Sequence, residues 1–472
     1  MDSPPAADQP RLVSRSVRLD GELPPFRDLL SAMDSPRTVW DGPTEPTVIA
    51  GGAAATLTAE GPERFEHIKD AAERLFSSGD VHAGTEAACP RLFGGFRFHA
   101  TEPSAANSAT VDTDGGQPSE AEPTPWASFP DARFVFPRLQ VTLTDRGPWL
   151  TVNAVGTTAS IEAVETRLEA ERERLASLPT ADPETPQPGI AARRRTTTPE
   201  SWRAGVTAAT DRITDGILQK VVLAQALEVD VAADLEVGDI LSRLGTKYPS
   251  CNRFLTEPAG RQPPAFFGAT PERLVSLRGR TVETDALAGT TGRGETPAED
   301  EWLARELLED DKNVHEHQLV AETICEQLEP FAASISVGDR QIRRLATVQH
   351  IHTPITAELA ADSHVLDLVE ALHPTPAVGG LPPDLALETI GETEPFDRGW
   401  YAAPIGWIDA AGNGTFAVGL RSAVATRRRA TLFAGVGIVA DSDPDREWDE
   451  IELKFRPILD ELESTDSALS GQ

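Results

Sequence analysis

The sequence predicts an α+β fold built on large antiparallel sheets. Two observations lead there. The strand-like and helical runs of the second half are segregated rather than strictly alternating, which disfavours a parallel βαβ sheet. The chain has 472 residues and no internal repeat, enough for one large domain or two or three ordinary ones.

Residues 1–99 alternate short strand-like runs (Thr47 to Ala50, Leu92 to His99) with a helical stretch from Phe65 to Phe76. Residues 100–125 are Thr, Glu, Pro, Ser, Ala, Asp and Gly with almost no apolar content, the composition of a disordered acidic insertion. Order resumes at Trp126. Residues 126–197 hold strands at Phe134 to Phe136, Leu139 to Leu143 and Trp149 to Ala154. A charged helix from Ile161 to Leu178 and a proline-rich linker, Thr180 to Pro188, follow.

From 198 onward the texture changes, and residues 198–464 read as one core. A helix over 199–217 leads into a strand over 220–229. Phe266-Phe267-Gly268 and Leu274 to Leu277 suggest a hairpin, and a long helical stretch covers 298–329. Strands follow at 345–351, 404–409, 415–425 and 431–440, and 465–472 reads as a disordered tail.

The last helix carries the most chemistry. Gly435 to Ala440 reads as a buried strand, after which Asp443-Pro444 supplies an N-cap and a first-turn proline. At about 100° per residue, Trp448, Ile451, Phe455, Ile458 and Leu462 make an apolar stripe. Glu447, Glu450 and Lys454 fall along one edge of it, while Asp449, Asp460 and Glu463 face away. Carboxylates at the border of a core suit a hard cation or a polar ligand; a solvated acidic face is the other reading of this helix alone.

Lys+Arg 43 against Asp+Glu 75 leaves a net charge of -32, which argues against nucleic acid or an anionic membrane as partner. Acidic excess with lysine depleted predicts a surface that stays hydrated in concentrated salt, a halophilic habit. The lysines number five; Lys220, Lys312 and Lys454 all lie in chemical-looking segments, so their retention needs a reason. Cys89, Cys251 and Cys325 are widely spaced with no CxxC, so no disulfide framework or zinc site is implied. No apolar run approaches the ~18–20 residues of a membrane span, and the N-terminus lacks a signal-like apolar stretch. A soluble cytoplasmic protein is expected, and nothing here is at odds with a monomer.

Five segments need a joint explanation: Lys220-Val221-Val222-Leu223-Ala224, Gly268-Ala269-Thr270-Pro271-Glu272, Ala288-Gly289-Thr290-Thr291-Gly292, Lys312 to His317, and the helix 447–454. Among them stand Val348-Gln349-His350, Leu372 to Gly380, Arg398-Gly399-Trp400-Tyr401, and Leu420-Arg421-Ser422-Ala423. In this order the set resembles the chorismate-utilising enzymes: isochorismate, salicylate, anthranilate and aminodeoxychorismate synthases. The resemblance covers roughly 198 to 462. The His373 to Gly379 stretch looks like the isochorismate synthase version. Ala288 stands where aminodeoxychorismate synthases carry a lysine, and Lys220 is present where anthranilate synthases usually lack one.

The resemblance implies a sandwich of two mostly antiparallel sheets with helices outside and a water-excluding site between them. It implies an isomerase that makes isochorismate from chorismate, feeding menaquinone or a siderophore. Lys220 would be the base that activates water, and Glu272 the acid for the departing 4-hydroxyl. Mg²⁺ would be held by Glu316 and Glu450, with Glu447 adjacent or acting through water. Tyr401, Arg421 and the Gly435 N–H would hold the enolpyruvyl carboxylate. Gly289 and Thr290 would approach the ring carboxylate. His350 and Ala377 would lie beside the ring, and Lys454 would support substrate or metal-proximal carboxylates. His315 and His317, at i and i+2, point apart on a helix and cannot share a zinc ion. Gln225 replaces the arginine of many relatives, Thr270 the commoner serine, and Pro382-Pro383 follows Gly379-Gly380 where some lyase-type relatives carry lysine. Salicylate synthase, anthranilate synthase component I and an inactive chorismate-binding subunit are the rival readings.

Overall fold

A computed structural model describes residues 11–21, 23–77, 79–101, 124–179 and 185–464. The expected insertion at 100–125, the first part of the expected linker and the expected tail therefore lie wholly or largely outside the described residues.

The long strand Ala132–Thr144 organises the architecture. Along one edge it pairs with Glu45–Ala59; along the other, first with Leu92–Phe96 and then with Gly147–Gly156. Two antiparallel arms diverge from it. One runs through Glu45–Ala59, Arg37–Gly42, Asn252–Glu257, Ala265–Thr270, Ser422–Ala425 and Arg429–Ile438 to Lys220–Val231. The other runs through Leu92–Phe96, Pro404–Ile408, Gly414–Val418, Arg273–Arg278 and Thr281–Gly292 to Val348–Leu359. Among the described residues, the pairing of Arg11–Arg18 with Gly79–His82 is the parallel one. The expected sandwich of antiparallel sheets is therefore present. Pro137 sits inside Ala132–Thr144, opposite the register shift at Ala53/Ala55, a place where its missing N–H costs no ladder bond. The two strands expected there are consequently one.

Aromatic side chains fill the junction. Trp126 packs 5.2 Å from Phe266 and 5.4 Å from Phe433, and Phe129 lies 5.4 Å from Trp400 (centroid distances). Phe433 then stacks on Tyr401 at 5.2 Å, which links this core to the cavity described below.

Three further expectations are corrected. The strands Ala265–Thr270 and Arg273–Arg278 do not form a hairpin; the first pairs with Asn252–Glu257 and Ser422–Ala425, the second with Thr281–Gly292 and Gly414–Val418. Pro271 lies at the point where the chain passes from one arm to the other. The helical stretch 298–329 is two helices, Pro297–Glu309 and Asp311–Leu328. Asp310 is extended, and its carboxylate accepts from the Asn313 N–H, capping the second helix. Residues 415–425 are two strands, because Arg421 takes a positive φ of 48°. The helix Pro444–Leu462 forms as the capping pattern predicts, with Asp443 accepting from the N–H groups of Asp445 and Arg446. Ile451, Phe455, Ile458 and Leu462 are buried, and Trp448 is half-buried against the same core.

Candidate active site

The ends of both arms, together with the helices Asp311–Leu328 and Pro444–Leu462, line one cavity. Every residue expected at the site lines it except Lys220. Lys220 opens its strand between Arg429–Ile438 and Gly380–Leu381. Its side chain is 1% exposed, and Nζ lies 2.8 Å from Oε1 of Glu316, which does line the cavity. A Cβ on Gly437 would stand 2.5 Å from that Glu316 oxygen and 2.9 Å from Lys220 Cε. Gly437 thus leaves the room this pair occupies.

Glu272 follows Pro271 where the chain changes arms, and its carbonyl accepts from the Val418 N–H. The carboxyl is pushed up to about 7, because burial disfavours the charged form more than the nearby positive charges of Lys220, Lys454 and Arg421 favour it. Near neutral pH it can therefore keep a proton and give it away.

Gly289 occupies the bulge where Thr281–Gly292 slips register against Val348–Leu359. Its φ of +76° suits glycine. Thr290, directly after it, meets His350: Oγ1 lies 3.1 Å from Nδ1. Burial, then the charges of Arg421 and Lys454, hold the His350 imidazole well below its ordinary value, so the ring is neutral. Its Nε2 has no partner among the described residues.

Gly435 pairs with Ala224, but the Ala224 N–H donates to Glu394 rather than to Gly435. Gly435 O accepts from Lys454 Nζ at 2.9 Å. The N–H and C=O of one strand residue point the same way. The neighbouring strand ends at the Ser422–Phe433 pair, so the Gly435 N–H faces off the ladder as well. Tyr401 Oη lies 3.1 Å from where a Gly435 Cβ would be. Arg421 sits in the strained turn at φ 48°; its carbonyl accepts from the Ala269 N–H, while its guanidinium has no hydrogen-bond or ion-pair partner among the described residues. Tyr401, Arg421, Gly435 and Ala377 all line the same cavity.

The three retained lysines now have their reason. Lys220 pairs with Glu316, Lys312 with Glu447 at 3.0 Å, and Lys454 with Glu450 at 2.6 Å. Burial drives the Glu447 carboxyl upward; Lys312 opposes this and Glu450 adds to it. Lys312 is raised because Glu447, Glu316 and Glu450 together outweigh its burial. Further positive charge would be welcome beside these carboxylates. The donors are all oxygens, which suits Mg²⁺. They do not converge as a preformed cluster: no group of three or more His, Cys, Asp or Glu able to hold a metal occurs among the described residues. His317 turns the other way, its Nε2 2.8 Å from Thr353, and His315 does not line the cavity.

Sequence reasoning assigned no role to Lys312, Gly437, Asn313 or Arg398. Two signals were available: the surviving lysine at 312 and the second glycine of Gly435-Val436-Gly437. Arg398 is an internal brace, donating to Glu394, Val378 O and Val222 O.

The family model described as chorismate binding enzyme matches residues 5–463. The chain belongs to that family. It is 36% identical over 480 residues to the salicylate biosynthesis isochorismate synthase of Pseudomonas aeruginosa, covering 99% of this chain and 92% of that protein. To the isochorismate synthase MenF of Bacillus subtilis it is 33% identical, covering 92% of this chain and 88% of the relative. The solved structure of the menaquinone-specific isochorismate synthase MenF from Escherichia coli superposes with a TM-score of 0.78 at 25% identity, covering 98% of this chain and 96% of that one.

Proposed function

We propose that this protein is an Mg²⁺-dependent isochorismate synthase, an isomerase acting on chorismate. The observation that carries the reading is Glu272, a buried carboxyl lining the cavity and held up to about 7, with Lys220 and Arg421 near enough for their charges to act on it. That is the setting of an acid working beside a base near neutral pH.

Water adds at C2 of the ring. Lys220 takes the proton this water loses; in that role it has to enter the step as the neutral amine, out of its ion pair with Glu316. Glu272 gives its proton to the 4-hydroxyl, which departs as water while the double bond shifts. One water enters and one leaves, so the atoms balance. Arg421, Tyr401 and the Gly435 N–H bind the enolpyruvyl carboxylate, and Arg421 enters this task unpaired. Gly289 and Thr290 approach the ring carboxylate, and Ala377 and neutral His350 lie beside the ring. Glu316 and Glu450, with Glu447 next to them, would hold Mg²⁺, which when bound supplies charge to neutralise the ring carboxylate. Lys312 and Lys454 balance these carboxylates.

We place the product in menaquinone synthesis in preference to a siderophore route, a choice supported by the likeness to the two MenF proteins. The free thiols of Cys89, Cys251 and Cys325 support a reducing, cytoplasmic setting. No helix among the described residues is long and apolar enough to cross a membrane. The charge of -32 supports a halophilic habit, in which folding weakens at low salt.

Incubation with chorismate and Mg²⁺, without ammonia, tests the reading. Isochorismate as the product is the expected result. Stoichiometric pyruvate with salicylate would assign a salicylate synthase instead, and ammonia-dependent anthranilate an anthranilate synthase.

A further inference from the structure

Arg195 ends the strand Ile190–Arg195, away from the cavity wall, yet it holds the helix that carries Glu447, Glu450 and Lys454. Its guanidinium donates to Glu452 and to Oε1 of Gln225 at 2.5 Å. It also stacks 4.3 Å from the Trp448 ring and 5.4 Å from Phe455. Trp448, Glu452 and Phe455 share one flank of Pro444–Leu462. At about 100° per residue, Glu447, Glu450 and Lys454 lie on the other, roughly 130° away. The buried stripe Ile451, Ile458 and Leu462 lies between them.

We propose that Arg195 is a positioning residue that sets the rotation of the last helix and so keeps Glu447 and Glu450 turned into the cavity. An apolar stripe resists separation from the sheet but does little to resist turning about the helix axis. A carboxylate ~5–6 Å from that axis moves about 1 Å for a turn of about 10°. Long side chains hold both flanks: Lys454, donating to Gly435 O at 2.9 Å, Lys312 on Glu447 and Arg243 on Glu461 hold one, and Arg195, beside the exposed Arg203–Asp445 pair, holds the other. The guanidinium suits this task because its planar fork can hydrogen-bond at its edge while its face lies on an indole.

Gln225 completes the mount. It is fully buried, accepts from Arg195 through Oε1, and its Nε2 has no partner among the described residues. The guanidinium reaches the helix from the strand edge, and Gln225 marks a second backbone position from which an arginine could reach the same place.

This inference rests on the Mg²⁺ reading, and its test separates the two. Mg²⁺ is titrated calorimetrically, without chorismate, into wild type, Arg195→Gln, and the exchanged pair Arg195→Gln/Gln225→Arg. The expected result is an affinity at least about tenfold weaker in Arg195→Gln, the loss typical of a support removed behind a metal ligand, with recovery to within about threefold in the exchanged pair. Wild-type affinity in Arg195→Gln would overturn the inference while leaving the metal reading intact. So would a folded exchanged pair that stays as weak as the single variant. Should Arg195→Gln not fold, Arg195→Lys and the exchanged pair carry the test: weak binding in the former and recovery in the latter support it, equal binding in both overturns it. A wild-type chain that takes up no Mg²⁺ would sink the metal reading and this inference with it.

Discussion

Replacing Glu272 with glutamine removes the proposed proton donor and, in the same step, a buried titrating group. The native carboxyl is raised from 4.5 to about 7, chiefly by burial. Between these values the folded chain binds more protons than the unfolded one, so stability falls as pH rises. The contribution is intact below about 4.5 and is lost as pH passes through 7. One pKa unit corresponds to about 1.4 kcal/mol, so the whole loss is about 3 kcal/mol. Of this, about 2 kcal/mol falls between about pH 5.5 and about pH 8.5. Glutamine is neutral throughout and escapes it. For a chain of this length the unfolding entropy is roughly 1 kcal/mol per degree. The Tm of Glu272→Gln relative to wild type should therefore climb by about 2 °C over that pH range, measured in constant molar salt. Turnover should drop about 10²–10⁴-fold, the usual worth of a general acid, and the wild-type rate should decline above about pH 7. A Tm difference that does not change with pH would mean that the carboxyl is already ionised at low pH, and the acid role would fall.

Three further variants probe the same cavity. Lys220→Ala should abolish turnover while calorimetry still detects chorismate and Mg²⁺ binding; the variant also strips Glu316 of its partner at a cost of about 3–5 kcal/mol, so the melt is recorded alongside, and retained turnover refutes the base. Glu316→Gln should raise the Mg²⁺ concentration for half-maximal rate at least about tenfold, and an unchanged requirement removes it from the ligand set. Gly437→Ala should fold, because the atoms its methyl meets are the movable ends of Lys220 and Glu316. A displacement of about 1 Å there should cost about 10²-fold in kcat, and wild-type kcat would show that the pair's position is unimportant.

Much of this cavity was legible because each motif sets a chemical side chain beside a residue with a backbone task. Gly289 marks a bulge, Pro271 a change of arm, and Asp443-Pro444 a helix start, so Thr290, Glu272 and Glu447 are placed almost by their neighbours. Three lysines retained on a lysine-poor chain pointed to ion pairs, though not to which carboxylates. Strand partnership was not legible. Short apolar runs mark Phe266 to Gly268 and Leu274 to Leu277 as strands, but they do not say that the two join different arms. The break at Asp310 was hidden because an aspartate can sit inside a helix or cap one. Arg195 was invisible for a different reason: its partners Gln225 and Glu452 lie 30 and 257 residues along the chain, and only the fold brings them together.

The most direct test of water as the attacking group is turnover of chorismate in H₂¹⁸O. Isochorismate and chorismate are isomers, so addition at C2 with loss of the original 4-hydroxyl predicts an isochorismate heavier by two mass units, with the label on C2. An unlabelled isochorismate would mean that the hydroxyl migrates without solvent, and the roles given to Lys220 and Glu272 would be wrong.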